Sequence, residues 1–156
     1  MGVVPASISA VAATIAAILA AVNIYLTRRS EKVKWARETL VETFTQFLDA
    51  SFESKNAIKL AARTALADPG SPEIERLRQE AARAEAEMRS LQTRLRLLTT
   101  PALVEAAQSL RFAVRDYIDS LGDLGAISPQ SDKALRDELW RRREAFIAAV
   151  KEVLSL

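Results

Sequence analysis

The chain has 156 residues, with 22 Lys and Arg against 20 Asp and Glu, for a formal net charge of +2. It contains no Cys and no His, which excludes disulfides, thiol and imidazole catalysis and the usual zinc sites. With only 4 Gly and 5 Pro in a background of Ala, Leu, Glu and Arg, the composition predicts an all-α protein with one domain-sized core.

The first element is residues 3–26, VVPASISAVAATIAAILAAVNIYL, with no charged side chain between Met1 and Thr27. Three readings compete: a cleaved signal peptide, a helix buried in a soluble core and a transmembrane helix. The run is long for a signal peptide and has no basic segment before it. Its length matches the ~20 apolar residues that a membrane-spanning helix needs, so the sequence predicts an anchor over 1–27. Within the span Ser9, Ala13, Ala17 and Ala21 recur every four residues, the small-residue spacing that lets membrane helices pack closely.

Residues 28–38, RRSEKVKWARE, hold five cations (Arg28, Arg29, Lys32, Lys34, Arg37) against Glu31 and Glu38. The positive-inside rule then predicts a single-pass protein of the plasma (inner) membrane, N-terminus outside and C-terminal body in the cytoplasm. On this reading the five cations face anionic lipid headgroups from a basic helical stalk over 28–40.

The body, 41–156, is cut by three hydroxyl–proline pairs: Ser71-Pro72, Thr100-Pro101 and Ser128-Pro129. Such pairs are N-cap plus first-turn signals. They predict helices over about 28–67, 72–98, 101–121 and 129–155. In the second helix Ile74, Leu77, Ala81, Ala84, Met88, Leu91, Leu95 and Leu98 follow a strict heptad. The third continues it with Leu103, Ala107, Leu110, Val114, Tyr117 and Leu121. Helix one offers a wide stripe from Leu40, Val41, Phe44, Phe47, Leu48, Phe52, Ile58, Ala62 and Leu66. Short connections between amphipathic helices predict an antiparallel up-down-up-down four-helix bundle, continuous with the anchor. A coiled-coil dimer sharing the same faces is the alternative.

Two polar groupings stand out. Asp116, Asp119 and Asp123 recur on one side of helix three; pairing with Lys133 and Arg136 is the expected account, since a cation site would need further oxygen ligands. Arg142 extends the Leu135 and Leu139 stripe, half-buried with a carboxylate or with its stem along the bundle edge. In Arg141-Arg142-Arg143 consecutive residues point to different helix faces, so a nucleic-acid groove is not expected there. Helix four carries a second apolar line, Trp140, Ile147 and Leu154, as a candidate partner face.

An anchor followed by KWARETLVETFTQFLDA, RLRLLTTPALVEAAQSL and LWRRREAFIAAVKEVL resembles small single-pass helical proteins of high-GC, actinobacterial-type bacteria. That resemblance implies the architecture but no activity. No nucleotide-binding glycine motif or nucleophile elbow occurs. The sequence therefore predicts a non-enzymatic, membrane-tethered adaptor, scaffold or accessory subunit, with no cofactor, no metal and no nucleic acid. Its expected partners are the bilayer and either another membrane protein or a second copy of itself. The alternatives are an oligomeric membrane effector, such as a phage-related exclusion or permeabilising protein, and a small-ligand sensor bundle.

Overall fold

Proline opens three of the four helices described in the computed structural model: α1 runs Val4–Ala67, α2 Pro72–Leu98, α3 Pro101–Ser120 and α4 Pro129–Leu154. The backbone is described for residues 4–123 and 127–154, and side-chain burial for residues 19–123 and 127–154. Pro lacks the N–H that the first helical turn leaves unpaired, and its fixed φ suits that position.

The hydroxyls before these prolines act differently. Ser71 is extended (φ −65°, ψ 129°), and its Oγ accepts from the Glu73 N–H at 3.4 Å. Ser128 Oγ accepts from the Ser131 N–H at 3.1 Å, and Ser131 Oγ accepts from the Ser128 N–H at 2.9 Å. This is the reciprocal arrangement of a capping box, with Ser in place of the usual Glu or Gln. Thr100 is extended too, but its hydroxyl makes no capping hydrogen bond. The α1–α2 turn is closed by the Gly70 N–H donating to Asp68 Oδ1 at 3.2 Å. After α3, the Gly122 N–H reaches the Asp119 carbonyl at 2.9 Å, and a Cβ at Gly122 would stand only 3.1 Å from that same oxygen.

The chain divides between Thr39 and Leu40 into two units. In the second, the four helices surround one core in ring order. Ser54 Oγ of α1 donates to the Ala81 carbonyl of α2 at 3.1 Å. That approach is possible because the facing residues are small: Ala50, Ser51, Ala57 and Ala61 on α1, Ala81 and Ala84 on α2. Arg111 joins α3 to α2. Tyr117 and Ser109 of α3 bond Asp132 and Arg142 of α4. Phe146 of α4 closes the ring on α1, edge-on to Phe44 at 6.1 Å and tilted on Phe47 at 4.9 Å. Where two contacts fix a direction the pairs are antiparallel. Ser109 and Tyr117 meet Arg142 and Asp132, while Phe44 and Phe52 meet Phe146 and Arg143.

The heptads of α2 and α3 face this core. From Ile74 to Leu95 and from Leu103 to Leu121 every seam residue is buried, and Leu98 is half-buried. The outer helices bury narrower stripes than their sequences offer. On α1, Phe44, Phe47 and Ile58 are inside, but Val41, Phe52 and Leu66 are exposed. On α4, Leu139 and Phe146 are inside, Leu135, Ile147, Val150 and Leu154 are half-buried, and Trp140 is exposed. Four helices around one axis need only about a 100° face from each, so the surplus lies outside.

The predicted placement in the plasma membrane, with the N-terminus outside and the bundle in the cytoplasm, is corrected. Among the described residues no helix is long and apolar enough to cross a membrane. The proposed packing residues Ser9, Ala13 and Ala17 lie outside the residues with described side chains, and Ala21 is exposed. Arg28, Arg29, Lys32, Lys34 and Arg37 are all exposed on α1, with Lys34 Nζ 3.9 Å from Glu38 Oε1.

Candidate partner-binding face

Along the α1 side of α4, Arg136, Trp140, Arg143 and Ile147 follow one another at spacings of four, three and four residues, the pattern of a single helix edge. Opposite them, α1 presents Phe52, Lys55 and Lys59. The Arg143 guanidinium carbon lies 3.7 Å from the centre of the Phe52 ring, and Lys55 Nζ lies 5.9 Å from the same point. One ring thus holds two cations, through the attraction of positive charge to the electron-rich aromatic face.

Exposure differs sharply across this group. Arg143 is 4% exposed, Phe52 44% and Trp140 59%. Arg143 Nε and Nη2 are buried with no hydrogen-bond partner. Burial pushes the Arg143 pKa down, against the opposing pull of Glu144. The Lys55 amine is also pushed down, first by burial and then by Arg143, Lys59 and Arg136. Four cations from two helices therefore converge. Two counter-charges lie near: Glu144 acts on Arg143, and Asp132 Oδ2 lies 3.1 Å from Arg136 Nε, close enough for an ion pair but off the hydrogen-bond direction.

The sequence pointed to Arg142 as the arginine on the stripe. Arg142 instead lies at the α3–α4 edge, half-exposed, with Nε donating to Glu138 and Nη1 to Ser109 Oγ, each at 2.7 Å. The buried arginine is its neighbour. Both numbers fit steps of three and four from Leu139 to Phe146, and the structure turns Arg143 inward against the Phe52 ring of α1. The predicted line of Trp140, Ile147 and Leu154 is graded in exposure. Trp140 projects into solvent, while Leu154 and Ile147 are half-buried, Leu154 against the core.

The aspartates of α3 are not brought together with the α4 cations. Lys133 pairs with Asp137 on its own helix at 2.8 Å, and Arg136 with Asp132. Side chains four apart on one helix meet without any tertiary adjustment, and both cations take such local partners. Asp119 borders a groove between α2 and α3, and Asp123 borders a different hollow between α3 and α4. Among the described residues no group of three or more carboxylates is placed to hold a metal ion.

That second hollow, about 330 Å³, is lined by Ala62, Leu121, Ile127 and Leu135 with Tyr117, Ser120, Ser131 and Asp132. Its polar atoms are largely engaged with one another or with nearby backbone. Tyr117 donates its O–H to Asp132, Ser120 donates to the Tyr117 carbonyl at 2.6 Å, and Ser131 caps α4. Burial and the Asp132 carboxylate push the Tyr117 phenol far above its ordinary range, holding it as a neutral donor. A neutral buried phenol bonded to a paired carboxylate is structural chemistry, with no activated nucleophile.

One further polar group was not foreseen. Arg111 Nη1 donates to Glu85 Oε1 at 2.6 Å and its Nε to Gln92 Oε1 at 2.8 Å, all three residues buried between α2 and α3. The signal was in the sequence. Glu85, Gln92 and Arg111 each directly follow a seam residue, and the first two are one heptad apart.

Comparison with known proteins places the chain in a family. The family model described as KilB plasmid transfer protein matches residues 41–155, well over half of the chain, and the chain belongs to that family. The matched segment begins one residue after the unit boundary at Leu40. No curated protein and no solved structure matches the chain.

Proposed function

We propose that this member of the KilB plasmid transfer family is a non-enzymatic helical adaptor or accessory subunit of plasmid transfer, which works by docking a partner on its α1–α4 face. The observation that carries this reading is Trp140, 59% exposed on the edge of α4 that also carries Arg143, whose guanidinium lies on the half-exposed Phe52 ring. Trp, Phe and Arg are the side chains enriched at protein interfaces, where they anchor most of the binding energy. A bundle that has filled its core and still presents a large aromatic in solvent has surface to spend on recognition. In the α3–α4 hollow Tyr117 and Asp132 bond each other, which supports a structural role for that pair.

The test is plasmid transfer from donor cells carrying Trp140→Ala, with the level and melting of the variant measured in parallel. Loss of transfer by a variant that accumulates and melts normally supports docking. Normal transfer would remove this face from the reading.

A further inference from the structure

The α1–α4 face is unbalanced in charge. Lys55 and Arg143 share the Phe52 ring, and Lys59 and Arg136 add to the positive field acting on Lys55. Among the described residues Lys55, Lys59 and Arg143 form no ion pair, whereas Arg136 has Asp132. Arg143 adds an independent observation. It is 4% exposed, and two of its nitrogens are buried with no acceptor. Glu144 partly offsets the Arg143 charge, and with four cations against Asp132 and Glu144 the field over the face stays positive.

From these relationships we propose that the α1–α4 face docks an acidic, amphipathic helix of a partner protein. Its carboxylates would meet Lys55 and Lys59 in the field of the buried Arg143, and its apolar edge would lie on Phe52 and Trp140. The inference rests on the docking reading above and adds the chemistry of the partner. A groove between two antiparallel helices accepts a third helix by the same packing that forms the bundle.

Two other occupants fit the face less well. A second copy related by a twofold axis would set this patch against itself, cation to cation. A single nucleic-acid strand needs aromatic faces on which bases can stack. Arg143 lies against the Phe52 ring at 3.7 Å, which leaves Trp140 as the free platform of the group.

The experiment uses the full chain carrying Trp35→Phe, so that Trp140 is its only indole. The probes are a synthetic helical peptide with leucines on one edge and glutamates flanking them, the same peptide with lysines for glutamates, and an oligodeoxythymidylate. The glutamate peptide should shift Trp140 emission saturably and the lysine peptide should not. Lys55→Glu with Lys59→Glu should weaken the glutamate peptide about tenfold or more and gain binding of the lysine peptide, a reversal that a misfolded variant cannot produce. Equal binding of both peptides would overturn the proposal. So would tighter binding of the oligonucleotide, or a Trp140 signal that changes with protein concentration alone. Transfer assays separate this inference from its premise. If Trp140→Ala abolishes transfer but the double charge reversal does not, docking stands and the acidic partner falls; if neither matters, both fall.

Discussion

Arg111 of α3 reaches Glu85 of α2 at 2.6 Å in an interior where both side chains are about nine-tenths buried. Gln92 takes a second N–H of the same guanidinium, and Arg89 approaches Glu85 from the surface at 3.6 Å. Removing one member of such a pair strands the other, which is far costlier than replacing both. Glu85→Ala should therefore destabilise the chain by about 3–5 kcal/mol. Glu85→Leu combined with Arg111→Met should return to within ~1 kcal/mol of the native chain, or exceed it. Chemical denaturation of the single and double variants checks this, and equal losses in both would show that the pair itself stabilises the α2–α3 contact.

That pair also shows how far the sequence could be read. The seams of α2 and α3 were legible because their apolar residues recur strictly at three and four. The polar residue beside a seam was not. Whether Glu85 or Arg111 turns inward depends on which facing position its neighbour occupies, and periodicity within one helix does not encode that. The outer helices misled in the opposite direction. Phe47 and Phe52 look equivalent in sequence, yet Phe47 lies under Phe146 while Phe52 lies at the edge under Arg143. The membrane reading came from the uncharged run at 3–26 and the cations after it, but no helix among the described residues is long and apolar enough to cross a membrane.

The hydroxyls before the helix prolines should not be equal in energy. Ser128 and Ser131 cap α4 reciprocally, whereas Thr100 caps nothing with its side chain. Ser128→Ala should cost about 1 kcal/mol, the ordinary loss of an N-cap. Thr100→Ala should cost no more than a few tenths by the same reasoning. Thermal melting of the two variants makes the comparison, and equal losses would mean that proline, rather than the hydroxyl, sets both helix starts.

Tyr117 should confer a pH dependence at the alkaline end. Its phenol is held neutral by burial and by the O–H it donates to Asp132, so its folded pKa lies above the unfolded value. A group raised in this way binds its proton more tightly when folded. Its stabilisation is therefore complete below the unfolded pKa of ~10 and is lost as pH climbs towards the folded one. In a Tyr25→Phe background, phenolate absorbance should appear only as helical signal is lost. Tyr117→Phe should be less stable at neutral pH, and the difference from the parent should shrink above pH ~10. A Tyr117 that ionises while the bundle remains intact would contradict its buried hydrogen bond.

Trp140 and Phe146 stand six residues apart on α4 with opposite environments, and their truncation should separate recognition from stability. Phe146 is fully buried between Phe44 and Phe47, so Phe146→Ala removes a large side chain from the centre of the α1–α4 contact. That should cost about 3–5 kcal/mol, because the close-packed surroundings cannot collapse into the cavity. Trp140 is 59% exposed and forfeits little burial. Trp140→Ala should change stability by no more than about 1 kcal/mol, within the range of ordinary surface substitutions. Chemical denaturation followed by helical circular dichroism reads both variants, since the loss of Trp140 removes the main fluorescence probe. A large loss for Trp140→Ala would mean that the indole supports the bundle edge, and an aromatic needed for folding could not be assigned to a partner by loss of transfer alone. A small loss leaves the exposed indole with no structural duty on α4, which is the condition under which its effect on plasmid transfer reports docking.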